Sequence, residues 1–367
     1  MTYQYISKEN PLGLIRIDHI EFTTQNLDAM QQLYRSLGFV LTQDHSCAKH
    51  DCYYYHQNDM DVILTVGKQD GVFQYDYQKK HGDGVCTLAF LVEDVEYALA
   101  EALKRGAVQA QGIKENELDG ELYKTAAING FGDVRNLLVQ RSGKTKLFAP
   151  QFSHIENPEP IANGHDPKLI RLDHLTNNVY YGDMEKWVKF YKDIYGMLEV
   201  RYFDIKGIKT GLFSKVVCTP DRSIIIPINE PDEKNGKGQI QEYLDMHKGE
   251  GVQHIAMTTE NIVETVRTLK RNGFQFLDIN EVYYEMLPDR VANIDKMEDL
   301  DALKAESILV DGDEKEYLLQ IFTSNQVGPL FFEIICRKGH DGFGEGNFQA
   351  LFDSIERDQE KRGVFNN

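Results

Sequence analysis

The feature that most constrains this chain is an internal repetition. Leu14-Ile15-Arg16-Ile17-Asp18-His19-Ile20 returns, position for position, as Leu169-Ile170-Arg171-Leu172-Asp173-His174-Leu175. The agreement extends beyond each copy. A helical pattern over 27–37 or 184–195 ends at Gly38 or Gly196 and gives way to alternating, strand-like segments. Farther on, Gly84-Val85-Cys86-Thr87-Leu88-Ala89 matches Gly251-Val252-Gln253-His254-Ile255-Ala256. Each of these leads into an acidic helix start, a helix, and a terminating glycine at Gly106 or Gly273. The last strands pair as well, 132–141 against 328–337. A chain doubled in this way folds as two tandem units, and each unit is itself a doubled strand-helix-strands arrangement.

In the second copy the pattern predicts a strand over 169–178, a helix over 184–195, and strands near 199–206, 209–218 and 222–228. A helix over 239–247, a strand over 251–258 and a helix over 260–272 come next, and strands over 316–323 and 329–337 close the unit. The stretch 286–305 is longer and more acidic than its counterpart and reads as a surface insertion. An amphipathic helix over 347–361 ends the chain. Between the copies, Pro150, Pro158 and Pro160 punctuate a polar stretch over 142–166, which reads as a linker. The expected division is 1–150 for the first unit, 151–168 for the linker and 169–367 for the second unit with its C-terminal helix.

Composition narrows the partners. The formal charge is −18 and Lys/Arg form no cluster longer than a local pair or two, which argues against nucleic-acid or anionic-membrane partners and for a small-molecule ligand. Five scattered cysteines without a Cys-x-x-Cys fit reduced thiols in a cytoplasm. The longest apolar runs are strand-sized, so neither a signal peptide nor a membrane span is expected.

The repeat also points to the chemistry. The strand around Phe331-Phe332-Glu333-Ile334-Ile335 carries one carboxylate in an apolar run, and a lone buried charge costs several kcal/mol unless it is paired. When the copies are aligned, His174, His254 and Glu333 occupy the places of His19, Thr87 and Leu137. Two imidazoles and a carboxylate on three strands match the facial triad that holds non-haem ferrous iron with open positions beside it. On the residues alone, Glu333 could equally pair with an arginine such as Arg171 or Arg201. His19 reads as an ordinary core histidine. His45, His50, His56, His81, His154, His165, His247 and His340 lie in polar or loop contexts that imply no special role.

Several longer stretches are more specific than the triad. They are Arg201-Tyr202-Phe203-Asp204-Ile205-Lys206-Gly207, Ile226-Pro227-Ile228-Asn229-Glu230, Gly251-Val252-Gln253-His254, Tyr283-Tyr284-Glu285-Met286-Leu287, Leu318-Leu319-Gln320-Ile321-Phe322 and Gly342-Phe343-Gly344-Glu345-Gly346-Asn347-Phe348. Through them the chain resembles the 4-hydroxyphenylpyruvate dioxygenase family of the vicinal oxygen chelate superfamily, strongly over 169–363 and more weakly over the first copy.

The resemblance implies an α+β fold of two tandem vicinal-oxygen-chelate domains. Each would be a pair of βαβββ modules forming an open barrel-like sheet, with a C-terminal gating helix. It implies one Fe(II) per chain held by His174, His254 and Glu333, with the first domain lacking a complete metal site. The implied reaction converts 4-hydroxyphenylpyruvate and O2 to homogentisate and CO2 by oxidative decarboxylation, ring hydroxylation and side-chain migration, in tyrosine and phenylalanine catabolism. By the same resemblance Ser214, Asn229, Gln239, Gln253, Gln320, Phe331, Phe343, Asn347 and Phe348 contact substrate. Ser214, Asn229 and Gln239 would bond the phenol end, Gln253 and Gln320 would lie near the iron end, and Asn229, Gln239 and Gln253 are the catalytic candidates. Without it, Asn229 reads as a turn residue before Pro231 and Gln239 as a helix-start residue. A homo-oligomer, dimer or tetramer, is implied by analogy. The rival within the same resemblance is 4-hydroxymandelate synthase, in which the position of Phe331 tends to be aliphatic. An extradiol dioxygenase and a non-catalytic binding protein of the same fold are the more distant alternatives.

Overall fold

The computed structural model describes residues 4–118, 121–142, 147–158, 161, 164–206, 211–232, 237–279, 281–344 and 346–347. The first unit runs β1 (Leu14–Thr23), α1 (Leu27–Ser36), β2 (Val40–Ser46), β3 (His50–Gln57), β4 (Met60–Gly67), α2 (Phe73–His81), β5 (Gly84–Val92), α3 (Val95–Lys104), β6 (Gln109–Leu118), β7 (Glu121–Asn129), β8 (Arg135–Ser142) and β9 (Ser153–His154). The second begins with β10 (Leu172–Asn178), α4 (Met184–Tyr195), β11 (Leu198–Lys206), β12 (Gly211–Cys218), β13 (Ile225–Pro231), α5 (Gln239–His247), β14 (Gly251–Thr258) and α6 (Ile262–Arg271). It continues through four short helices, α7 (Glu281–Glu285), α8 (Leu287–Arg290), α9 (Ile294–Met297) and α10 (Leu300–Glu306), to β15 (Leu309–Gly312), β16 (Tyr317–Phe322) and β17 (Phe331–Lys338).

Local chemistry sets the helix ends. Asn26, Asp94 and Asn261 cap α1, α3 and α6, each side chain accepting a bond from a backbone N–H of the first turn. The four predicted stop glycines, Gly38, Gly106, Gly196 and Gly273, all take positive φ, which lets the chain leave each helix without a Cβ clash.

The strand orders are β6-β7-β8-β5-β1-β4-β3-β2-β9 and β11-β12-β13-β10-β14-β17-β16-β15. In reverse, the second order places every strand on its counterpart in the first. Each sheet curls into an open half-barrel, so the expected α+β class with paired βαβββ modules is present. The two units share one apolar core, to which Tyr34, Phe90, Tyr191, Tyr195 and Phe332 all contribute. Asn136 of the first unit donates to the Tyr195 hydroxyl of the second at 2.7 Å.

Three expectations need correction. The stretch read as a linker starts as part of the first unit: Phe148, Ala149 and Phe152 are buried in an apolar cluster, and β9 pairs with β2. Two aromatic side chains in a polar stretch have more to gain from burial than the chain loses by being held. The stretch read as a surface insertion forms α8 to α10 and buries Leu287, Val291, Ile294 and Leu303 in the core. His81 and His247, read as unremarkable, are buried and stacked at 4.6 Å between the units. The expected helix over 347–361, with its gating role, lies outside the described residues apart from its first position. No described helix is long and apolar enough to cross a membrane.

Candidate metal centre

Strand register brings the three predicted ligands together. Ala256 on β14 pairs with His174 of β10 on one side and with Glu333 of β17 on the other. His254 lies two residues from Ala256 and therefore shares its face. The small Ala256 side chain leaves the space between them open. A register shift between Leu172 and His174 makes Asp173 the extra, bulged residue, a distortion that re-aims side chains at such sites.

The distances are close to equal. His174 Nε2 lies 3.3 Å from His254 Nε2. Glu333 Oε2 lies 3.2 Å from the first nitrogen and 3.4 Å from the second. First-row divalent ions bind imidazole and carboxylate at about 2.0–2.2 Å, so neighbouring donors on one ion stand roughly 3 Å apart. All three side chains are buried.

The opposite ring nitrogens settle the tautomers. His174 Nδ1 lies 2.8 Å from a carboxylate oxygen of Asp173, which can only accept, so Nδ1 carries a proton and Nε2 is the nitrogen turned toward the other two side chains. His254 Nδ1 likewise donates to Gln253 Oε1 at 2.9 Å. Two Nε2 atoms and a carboxylate oxygen therefore converge on one point, where a divalent cation would take the place of any proton they share. Burial works against charge on every member. The carboxylates of Glu333 and Asp173 nevertheless hold the His174 pKa up at about 9, and the two imidazoles hold Glu333 down at about 2. The His254 pKa is lowered by burial.

Supports stand behind each ligand. Arg337 clamps Asp173 with Nε at 2.8 Å and Nη2 at 2.7 Å, and its Nη1 donates to the carbonyls of His340 and Gly342. Gln320 Nε2 donates to Glu333 Oε1 at 3.1 Å, Asn347 donates to Gln320 at 3.1 Å, and Tyr283 donates to Asn347 at 2.7 Å. Neither Arg171 nor Arg201 reaches Glu333; both lie exposed.

The triad opens into a cavity that Ser214, Asn229, Gln239, Gln253, Phe331 and Phe343 line. A polar strip leads away from the metal position: Gln253 Oε1 accepts from Asn229 Nδ2 at 3.4 Å, and Ser214 pairs with Asn229 across β12 and β13. Facing it, Phe331 stacks on His254 at 5.0 Å, and Phe343 meets His174 edge-on at 5.8 Å. Gln320 and Asn347, also expected at the substrate, join the site through Glu333: Gln320 on β16 bonds that carboxylate directly, and Asn347 bonds Gln320. Phe348 lies outside the described residues. Sequence reasoning missed Thr176, 3.0 Å from His254, and the aromatic walls Phe203 and Phe322. It also missed Asp173 and Arg337, although the repeat held their signal: both copies carry Asp-His on the first strand and Arg at the end of the last.

Comparison with known proteins agrees with this geometry. The profile of the hydroxyphenylpyruvate dioxygenase N-terminal domain matches residues 8–153, and that of the glyoxalase/bleomycin resistance protein/dioxygenase superfamily matches residues 171–286. Protein MelA of Shewanella colwelliana is 43% identical over 98% of this chain and 99% of its own. The 4-hydroxyphenylpyruvate dioxygenase of Pseudomonas aeruginosa is 40% identical over 98% of both chains. Among solved structures, a mutant 4-hydroxymandelate synthase from Streptomyces coelicolor superposes with a TM-score of 0.82 at 27% identity, covering 95% of this chain and 99% of that one. Full-length identity at this level, over a doubled fold that keeps a complete ligand set only in its second half, places the chain in the 4-hydroxyphenylpyruvate dioxygenase family of enzymes.

Proposed function

We propose that this chain is an Fe(II)-dependent dioxygenase that converts 4-hydroxyphenylpyruvate and O2 to homogentisate and CO2 in tyrosine and phenylalanine catabolism. The observation that carries this reading is the convergence of three donor atoms, 3.2–3.4 Å apart, at the end of a cavity with aromatic walls and a neutral polar strip. Bound by His174, His254 and Glu333, ferrous iron would supply open positions for a chelating 2-oxo acid and the redox chemistry for dioxygen.

The chain's own residues supply the rest. Asp173 and Gln253 hold the imidazole protons on Nδ1, so both Nε2 atoms stay aimed at the metal position. Ser214, Asn229 and Gln239 offer hydroxyl and amide groups that can donate to or accept from a phenol without adding a second charge near the metal. Phe331 and Phe343 close the walls and keep water from a reactive centre. The similarity to a 4-hydroxymandelate synthase favours a second reading in which the same substrate is hydroxylated at its benzylic carbon. The aromatic Phe331 weighs toward ring hydroxylation. Anaerobic reconstitution with Fe(II), then oxygen uptake and product identification, separates them: homogentisate supports the proposal, and 4-hydroxymandelate or no oxygen uptake rejects it.

A further inference from the structure

The hairpin joining β2 to β3 carries a second cluster of ligating side chains, remote in sequence from the triad and different in chemistry. His45 lies one residue before the end of β2, Cys47 sits in the turn and His50 opens β3, and one ligand atom from each lies within 4.8 Å of the other two. The turn that gathers them is held from within. Cys47 N–H donates to the His50 carbonyl at 3.0 Å, and Lys68 Nζ donates to the Cys47 carbonyl at 2.8 Å. The two rings stand 5.9 Å apart at 63°, edge to face, so they converge without stacking. All three residues are half-buried, open enough for an ion to enter.

We propose that His45, Cys47 and His50 form a second metal site, for a borderline-soft ion of the zinc class, with water completing a tetrahedron. A thiolate with two imidazoles selects zinc-like ions over the hard cations that oxygen ligands favour, and it differs from the sulfur-free triad. Tetrahedral zinc, with Zn–S about 2.3 Å and Zn–N about 2.0 Å, needs donors roughly 3.3–3.6 Å apart. To reach that size the half-buried side chains would rotate inward, with Cys47 Sγ giving up its 3.4 Å contact to the His50 carbonyl. Because β2 also carries β9 on its outer side, the ion would pin the sheet edge where the segment after the first unit docks.

Sulfur makes the site readable. Cys47 is the one cysteine that is not buried, and burial pushes the neighbouring Cys52 thiol up to about 12, out of competition as a thiolate. The full-length protein, loaded anaerobically with Fe(II), is titrated with Co(II) and followed for a near-ultraviolet thiolate-to-cobalt charge-transfer band. One equivalent should saturate the band, Cys47→Ser should abolish it, and Glu333→Gln should keep it. His45→Ala and His50→Ala should each weaken Co(II) binding by about tenfold or more. Absence of the band in the wild type overturns the proposal. So does its persistence in Cys47→Ser, its loss in Glu333→Gln, or indifference to both histidine substitutions.

Discussion

The two halves of the molecule have the same strand order, and they keep the same Asp-His-Arg clamp. In the second half Arg337 grips Asp173, which holds His174. In the first, Arg141 grips Asp18 at 3.0 and 2.9 Å, and Asp18 lies 2.8 Å from His19. Even the bulge recurs, with Asp18 the extra residue between Ile17 and His19. The difference lies in what faces the clamp. Where the second half has His254 and Glu333, the first has Thr87, which donates to Glu21 at 2.6 Å, and Leu137, which packs in the cluster around Phe148. The Phe148 ring meets His19 edge-on at 5.0 Å, as Phe343 meets His174 at 5.8 Å in the second half. A clamp retained where there is no ligand set to serve belongs first to the fold, and two side chains set on that scaffold complete the metal centre.

Making the second half resemble the first should give the largest effect. His254→Thr or Glu333→Leu should lower turnover more than about a thousandfold, since the metal supplies several kcal/mol of the catalysis. Oxygen uptake and iron content per chain check this.

The clamps should respond differently. Asp173→Asn should weaken iron binding about 10–100-fold, as loss of a ligand's support usually does. Asp18→Asn should leave iron affinity unchanged and show only in denaturant melts, as a loss of about 3 kcal/mol from a broken buried pair. Equal effects on iron from both would break the comparison.

A third test uses the segment that follows the last strand of the second half. Gly344 has φ +74, and a Cβ there would fall 1.6 Å from Gln320 Oε1, behind Glu333. Gly344→Ala should cut turnover about tenfold through 1–2 kcal/mol of strain. Gly132→Ala, whose Cβ would meet the Glu250 backbone at 2.9 Å, should affect melting but not iron retention.

The smallest effect concerns the seam between the halves. Burial and the stacked His81 press the His247 pKa down to about 3; Tyr77, Tyr243, Asp133 and Lys80 also face this pair. The unfolded chain binds this proton more tightly, so stability should decline as pH falls from about 6.5 toward 3. His247→Gln should flatten that acid limb in melts between pH 4 and 6, roughly the middle of this window.

The duplication, the stop glycines and the three ligands were legible because each is a local pattern printed twice. The features that escaped the sequence depend on contacts between distant residues. The four-residue β15 is too short to show a period, and it exists because β16 offers it an edge. Phe148 and Phe152 sit among polar neighbours, so nothing nearby in the chain marks them as buried. The His81–His247 stack joins residues far apart in the chain, each in a polar context. The bond from Gln320 to Glu333 likewise joins two strands whose pairing no local motif announces.

Arg337 reaches in two directions, toward Asp173 and toward the carbonyls of His340 and Gly342. The backbone that carries Phe343 to the wall of the cavity is thus tied to the aim of His174 through one rigid, planar group. A change in how that aromatic wall is seated and a change in where the first imidazole points are therefore transmitted through the same guanidinium.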